Sequence, residues 1–255
     1  MKTALLHLAT RETPEATLGA ALGLLEQVHR QGADLALLPE LFPSGYRYSD
    51  AEKTPFVLSE LQAFAQKSGM VVAGGVLERS GERYANRMYV LGPNGQMARY
   101  TKIHLIPAFG EPETMIPGGE LVTLELQGFK VGLTICFDLR FPELFRAYAV
   151  DGVDLFLVPS AWPGSRAYAW ELLTKARAAE NQAYLIAVNH AEEPFGAASV
   201  AADPMGMEMA RVEAEGIAVV ELDPSLPKRL RKEFRVLSER RPELYTGLLK
   251  SPAIK

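Results

Sequence analysis

Between residues 70 and 135 the chain passes through strand-like segments at 70–77, 83–91, 96–101, 121–126 and 130–135, with no amphipathic helical stretch among them. Parallel neighbours need a crossover of a dozen residues or more, usually a helix, so this region demands antiparallel pairing and excludes a purely parallel sheet. Pro93-Asn94-Gly95 supplies a strong hairpin signal between two of the segments. On either side, strands and helices alternate. Residues 3–9 read as a short strand, and Pro14 opens a helix to about Arg30 in which Leu18, Leu22, Leu25 and Val28 recur at helical spacing. The nearly continuous apolar run 33–39 has the pattern of a strand buried on both faces. Helices are expected at 56–67, 142–150, 168–181 and about 225–234, and strands at 154–159 and 183–189. Two further strands, near 197–202 and 216–222, are split by the turn Asp203-Pro204-Met205-Gly206, and the tail from Leu237 is proline-broken. This order predicts an α/β protein in which helices cover the outer faces of two stacked sheets. No linker divides the 255 residues, so residues 1–255 are expected to form one domain.

Charge narrows the partners. With 27 Lys and Arg against 31 Asp and Glu, the net charge is −4, and both signs are interspersed. No basic stripe for nucleic acid and no polybasic membrane patch results, and no apolar run reaches membrane-spanning length. Small molecules are the expected partners. The one cysteine cannot form an internal disulfide, and the N-terminal residues run straight into a strand pattern without an apolar signal core, so a cytoplasmic location is expected. Histidines at 7, 29, 104 and 190 have no metal-ligand spacing, and there is no glycine-rich phosphate loop. Neither metal nor cofactor is expected.

Glu40, Lys102 and Cys136 each follow the C-terminal end of an apolar strand, the edge at which α/β sheets bind ligands. Each also has a plain reading: a solvated loop carboxylate, a surface lysine, a small buried hydrophobe. As a set they make chemical sense. An ordinary thiol is mostly protonated at neutral pH, and a nucleophilic Cys136 needs the base and the positive neighbour that Glu40 and Lys102 would supply. A helix N-terminus close to Cys136 is expected to favour the thiolate further. The long irregular segment 103–120 is of the kind that is functional or mobile.

Leu38-Pro39-Glu40-Leu41-Phe42, Lys102-Ile103-His104-Leu105 and Ile135-Cys136-Phe137-Asp138-Leu139-Arg140-Phe141-Pro142-Glu143 resemble, in order, the three signature segments of the nitrilase superfamily of carbon-nitrogen hydrolases. Further matches are Gly110-Glu111 ahead of Pro117-Gly118, the segment Ala176-Arg177-Ala178-Ala179-Glu180-Asn181, and Asn189, so the similarity runs from residue 3 to about 235. The resemblance implies a four-layer α-β-β-α sandwich of the nitrilase type and a homodimer or higher homo-oligomer. In it the helix after Cys136 would pack on its mate, and the tail from 237 is a candidate to cross to the partner. It also implies a Glu-Lys-Cys set: Glu40 as base, Lys102 with the backbone N–H of Phe137 as oxyanion donors, and Cys136 as nucleophile. Glu111 matches the family's second glutamate and would hold the substrate or Lys102, while Glu113 is the surface alternative for that loop. His104 reads as a structural histidine or as half of a Cys-His dyad. Asp138 and Arg140 are expected to brace the turn after Cys136, and Arg177 and Glu180 to form a structural pair.

The segment 162–170 resembles bacterial ω-amidase-type members, in which Trp-Pro-x-x-Arg precedes a helical Trp. Arg166 would then be a fork for a substrate carboxylate, against the plain reading of a solvated arginine. Phe42, Tyr46 and Trp162 are candidates to wall the pocket or to serve as packing. The expected function is thiol-dependent hydrolysis of the terminal amide of a small carboxylate-bearing substrate, such as 2-oxoglutaramate to 2-oxoglutarate and ammonia. Deaminated-glutathione amidase and N-carbamoyl hydrolase are the alternatives within the family. The alanine-rich segment 196–200 departs from the family's glycine- and polar-rich stretch and leaves the far wall of the pocket open. A non-catalytic nitrilase-like binding protein would be expected to lack one of Glu40, Lys102 or Cys136, and all are present.

Overall fold

The computed structural model describes residues 1–249. Its first part runs β1 (Lys2–His7), α1 (Pro14–Arg30), β2 (Leu35–Leu37), α2 (Thr54–Ser68), β3 (Val71–Ser80), β4 (Arg83–Gly92), β5 (Gly95–Thr101) and the single turn α3 (Glu111–Thr114). It continues with β6 (Thr123–Leu126), β7 (Phe129–Leu133), α4 (Pro142–Val150), β8 (Leu155–Pro159), α5 (Ala167–Asn181) and β9 (Tyr184–Val188). Last come β10 (Ser199–Ala202), β11 (Glu208–Val212), β12 (Gly216–Glu221), α6 (Ser225–Glu233) and α7 (Pro242–Leu249). Local chemistry sets several boundaries. Thr13 caps α1 by accepting the Ala16 N–H at 3.2 Å, with Pro14 at the first turn. Gly69, at φ 76°, ends α2. Pro142 opens α4.

The strands form two sheets, ordered β12-β1-β2-β3-β4-β5 and β11-β10-β9-β8-β7-β6. Each has a parallel centre, β1/β2/β3 and β7/β8/β9, and antiparallel flanks. This is the mixed pairing that the helix-free region 70–135 required. Side-chain alternation then makes the layers. Leu35 and Leu37 face the second sheet and pack with Val131, Leu133, Leu155 and Leu157, whereas Ala36 and Leu38 face Leu18, Leu25, Val57 and Leu61 of α1 and α2. Leu144, Phe145 and Tyr148 of α4 and Trp170 of α5 close the other face of the second sheet. The result is an α-β-β-α sandwich. Each fully buried Leu contributes about 1.5–3 kcal/mol of burial free energy, so the two interlayers supply most of the favourable term.

The strand β11 was not expected. It carries Glu208 and Arg211 and pairs along one side only, at the edge of its sheet, so it lacks the apolar alternation that marks a strand in sequence. The tail from 237 is helical over Pro242–Leu249, and its last residues, 250–255, lie outside the described residues. The two sheets stack so that the C-terminal ends of β2, β5, β7, β8 and β9 meet at one edge, where Glu40, Lys102, Cys136, Ala161 and His190 converge.

Candidate active site

Glu40 follows β2 in a backbone conformation that the sequence does not announce. Leu41 sits at φ 49°, in the left-handed region that costs a branched residue energy. Gly75 of β3 makes the turn possible. A Cβ there would lie 2.7 Å from the Glu40 Cα and 2.8 Å from the Leu41 nitrogen, so no other residue fits. The Gly75 N–H donates to the Pro39 carbonyl and its own carbonyl accepts the Phe42 N–H, each at 3.0 Å. The Glu40 carboxylate is buried and takes three donors: Asn86 Nδ2 at 2.6 Å and Lys102 Nζ at 2.9 Å on Oε1, and the Ala161 N–H at 2.8 Å on Oε2.

Lys102 follows β5 and is fully buried. Its carbonyl accepts the Gly118 N–H at 2.8 Å, and a Cβ on Gly118 would strike the Thr101 carbonyl at 2.2 Å, so the loop closes over this strand end only with glycine. Nζ donates to Glu40 Oε1 and Glu111 Oε1, both at 2.9 Å. Glu111 starts α3 and also accepts the Tyr46 hydroxyl at 2.9 Å and the Ile106 N–H at 2.7 Å. Of the two glutamates on this loop, Glu111 is buried and Glu113 exposed. Burial alone would lower the Lys102 pKa, but Glu40, the Cys136 sulfur and Glu111 outweigh it and hold the ammonium protonated above its usual range. Burial raises the Glu111 carboxyl pKa; Lys102 works against that shift and Glu40 with it.

Cys136 lies beyond β7 at φ 44° and is buried. Its turn is held by Asp138, which accepts the Ile135 N–H and the Tyr100 hydroxyl on Oδ2 and both the His104 N–H and Nδ1 on Oδ1, at 2.7–3.0 Å. His104 therefore belongs to the brace, bonded to Asp138 and stacked on Phe141 with ring centroids 3.6 Å apart. Burial first, and then the Glu40 charge and a hydrogen bond to Glu40, push the Cys136 thiol well above its usual pKa; Lys102 and the Ala161 N–H pull the other way and do not prevail. The expectation of a helix dipole favouring the resting thiolate is thus corrected. The turn that starts at Cys136 spans only residues 136–140, and desolvation outweighs it.

Cys136 opens into a cavity lined also by Phe109, Phe137, Arg140, Trp162 and Arg166. Arg140 does not brace the turn as expected: its guanidinium lies over the Trp162 ring, 4.7 Å from the centroid. Trp162 is buried and donates Nε1 to the Arg166 carbonyl at 2.9 Å, which shapes the loop that presents Arg166. Tyr46 faces Glu111 and lines a neighbouring cleft with Tyr48, Phe109 and Phe195. Phe42 is buried in the packing under α1 and α2. Arg177 pairs with Glu180 at 2.9 Å and donates Nε to the Leu139 carbonyl at 3.0 Å, a structural role.

The chain as a whole has counterparts in known proteins. A family model described as carbon-nitrogen hydrolase matches residues 2–232. The chain belongs to the carbon-nitrogen hydrolase family. It is 32% identical to omega-amidase NIT2 of Mus musculus, over 98% of this chain and 99% of that protein. It is also 32% identical to 2-oxoglutaramate amidase of Bacillus subtilis, over 84% and 87% of the two chains. Among solved structures, a mutant of the amidase from Nesterenkonia sp. AN1, in which acrylamide has added to the active-site cysteine, superposes with a TM-score of 0.86. It shares 27% identity over 97% of this chain and 99% of that one. The chain is accordingly a hydrolase of carbon-nitrogen bonds other than peptide bonds, in linear amides.

Within this carbon-nitrogen hydrolase, sequence reasoning missed several residues that hold the site. Asn86 is a lone buried amide in β4, and its position inside a strand with an apolar face was the available signal. Ala161 contributes only a backbone N–H and left no signal. Asn189, matched in sequence without a role, ties the loops together. Its Oδ1 accepts the Trp162 N–H at 2.7 Å, and Nδ2 donates to the carbonyls of Trp162, Phe195 and Ala197. With the Trp170 Nε1 bond to the Ala198 carbonyl at 2.7 Å, these contacts anchor the alanine-rich segment 196–200 that sequence left open.

Proposed function

We propose that this hydrolase removes the terminal amide of a small carboxylate-bearing substrate, of the 2-oxoglutaramate kind, through a thioester on Cys136. The observation that carries this reading is the pair of guanidiniums beside the thiol. Arg140 and Arg166 both line the Cys136 cavity, and neither has a carboxylate partner among the described residues. A cavity with two uncompensated cations suits an anionic substrate, and the amidases named above act in the same family.

In the proposed reaction the Cys136 sulfur attacks the amide carbon while its proton passes to Glu40. The raised thiol pKa favours this coupled transfer over a standing thiolate. The carbonyl oxygen becomes an oxyanion facing Lys102 Nζ and the Phe137 N–H. Collapse breaks the carbon-nitrogen bond, Glu40 returns the proton to the departing nitrogen, and ammonia leaves. Glu40 then deprotonates a water that attacks the thioester, releasing the carboxylic acid and the Cys136 thiol. Glu111, bonded to Lys102, holds the ammonium in place. Tyr46, bonded to Glu111, would act on the substrate side through that carboxylate.

Ammonia release from a panel of ω-amides, N-carbamoyl compounds, neutral amides and nitriles tests the reading, with Cys136→Ala as control. Carboxylate-bearing ω-amides should turn over fastest and the Cys136→Ala variant should be inactive. Unchanged turnover in Cys136→Ala, or faster hydrolysis of neutral amides, would reject it.

We also infer that the whole chain acts as one hydrolase domain in a cytoplasmic homo-oligomer. Val150 of α4 and Tyr168 and Leu172 of α5 leave apolar surface exposed on the outer layer, and the single cysteine suits a reducing compartment. Sedimentation at micromolar concentration checks the first part, where a 28.0 kDa species alone would overturn it. Cell fractionation checks the second.

A further inference from the structure

The Glu40 carboxylate is fixed by its three donors, but its backbone is held from both sheets, and one of those holds comes from a histidine that the reaction does not use. His190, just past β9, is buried, and its Nε2 lies 2.6 Å from the Glu40 carbonyl oxygen. A carbonyl only accepts, so Nε2 must carry the proton. That requirement is met whether or not Nδ1 is also protonated. Thr10 Oγ1, at 3.2 Å, can donate to a bare Nδ1, and Glu192 Oε1, at 3.3 Å, can accept from a protonated one. The Nε2–H donor is therefore present in both states.

Its location matters because of what lies on either side. Gly75 of the first sheet bonds the Pro39 carbonyl and the Phe42 N–H and packs against the Glu40–Leu41 peptide without bonding it, which leaves the Glu40 carbonyl to a donor from elsewhere. That peptide is followed by Leu41 at φ 49°, a conformation an unrestrained leucine leaves. Among the described residues, the His190 bond is the hydrogen bond that fixes the direction of its carbonyl. We propose that His190 is a positioning residue for the general base, a latch from the second sheet that keeps the Glu40–Leu41 peptide from turning and so keeps the Glu40 carboxylate aimed at Cys136. The inference rests on the amidase reading for the role of Glu40.

Two substitutions separate the latch from general packing. His190→Gln can place an amide N–H where Nε2 stands, whereas His190→Asn reaches only the Nδ1 position. Two rates are read: kcat and KM for the best ω-amide, and alkylation of Cys136 by iodoacetamide, in which a carbon-sulfur bond forms, iodide leaves and the thiol proton goes to Glu40. His190→Asn should lower kcat and the alkylation rate by about 10- to 100-fold with KM nearly unchanged, since a base displaced by up to about 1 Å loses that much. His190→Gln should recover both rates to within about threefold. The proposal is overturned if His190→Asn keeps both rates, if its loss is confined to KM, or if a folded His190→Gln is as slow as His190→Asn. Should His190→Asn not fold, a folded His190→Gln within about threefold of wild type in both rates supports the latch, and one slowed about 10-fold or more in either rate overturns it. Alkylation needs no substrate, so a wild-type chain that alkylates readily yet releases no ammonia from the panel would reject the amidase reading while the latch is still judged by the variants.

Discussion

Asp138 Oδ2 accepts the Tyr100 hydroxyl at 2.7 Å inside the core. Tyr100 and His104 stand two residues on either side of Lys102, and Asp138 bonds both while also capping the Ile135 N–H. One carboxylate therefore fixes the spacing between the candidate oxyanion cation and the candidate nucleophile. Burial, reinforced by the Asp138 charge, keeps the Tyr100 hydroxyl protonated far above its usual range, so it remains a donor at any working pH.

Tyr100→Phe should accordingly destabilise more than its lost oxygen suggests. It removes one donor from a buried carboxylate, at a cost of about 1.5–3 kcal/mol. For a chain of this size that is roughly a 3–12 °C fall in Tm, measurable by a thermal scan. Activity should fall with it, because Lys102 and Cys136 lose their common tether. A Tm within 1 °C of wild type, roughly the noise of the method, would show that Asp138 does not need this bond.

Asn86 yields a second prediction, because its amide sits 2.6 Å from Glu40 Oε1. Asn86→Asp keeps the shape and replaces a donor by a second carboxylate. Two carboxylates this close share one proton, which occupies the proposed base. Loss of kcat by about 10²–10⁴ is expected, the range that a disabled general base costs. Asn86→Ala, which removes the donor without adding charge, should lose clearly less. Equal losses in the two variants would mean that the amide serves packing alone.

Much of this arrangement could be read from residue order. The helix-free run 70–135 demanded antiparallel strands, the run 33–39 demanded a strand buried on both faces, and strand ends carrying Glu40, Lys102 and Cys136 pointed to one edge. What escaped was chemistry that has no side-chain signature or depends on distant packing. The Ala161 N–H belongs to an alanine, and the role of Gly75 follows from a contact with Glu40 across neighbouring strands. Arg140 looked like a brace because Asp138 beside it is one, and only the fold turned its guanidinium over Trp162. The expected help from a helix dipole at Cys136 failed for a similar reason. The charge pattern along the sequence does not reveal how completely the sulfur is desolvated.

That desolvation has a consequence at alkaline pH. The folded-state pKa of Cys136 is raised above its ordinary value of 9.0, so the native state holds its proton when the unfolded chain releases it. The associated stabilisation is complete below the ordinary pKa and is lost as pH rises through the folded value. Stability should thus fall by up to about 1.4 kcal/mol per pH unit between the ordinary value and the folded value from this group alone. Urea unfolding at pH 8, 9 and 10 checks the slope. Cys136→Ala should lose stability less steeply than wild type over the same interval, and parallel curves would show that the thiol titrates normally.

Arg140 and Arg166 give the prediction that bears most directly on substrate. Burial lowers the Arg140 pKa first, and the Arg166 charge adds to it while Cys136 works against it, as for two cations that face one space. A substrate carboxylate placed between them would relieve both. Arg140→Gln should raise KM for a carboxylate-bearing ω-amide by about 10- to 100-fold, as expected for a charge-assisted hydrogen bond of about 1.5–3 kcal/mol. Arg166→Gln should do the same more weakly, since Arg166 is exposed whereas Arg140 rests on Trp162. Neither change should alter turnover of a neutral amide of equal length. If the neutral amide suffers equally, the guanidiniums support the loop, and selection for a carboxylate must reside elsewhere in the cavity.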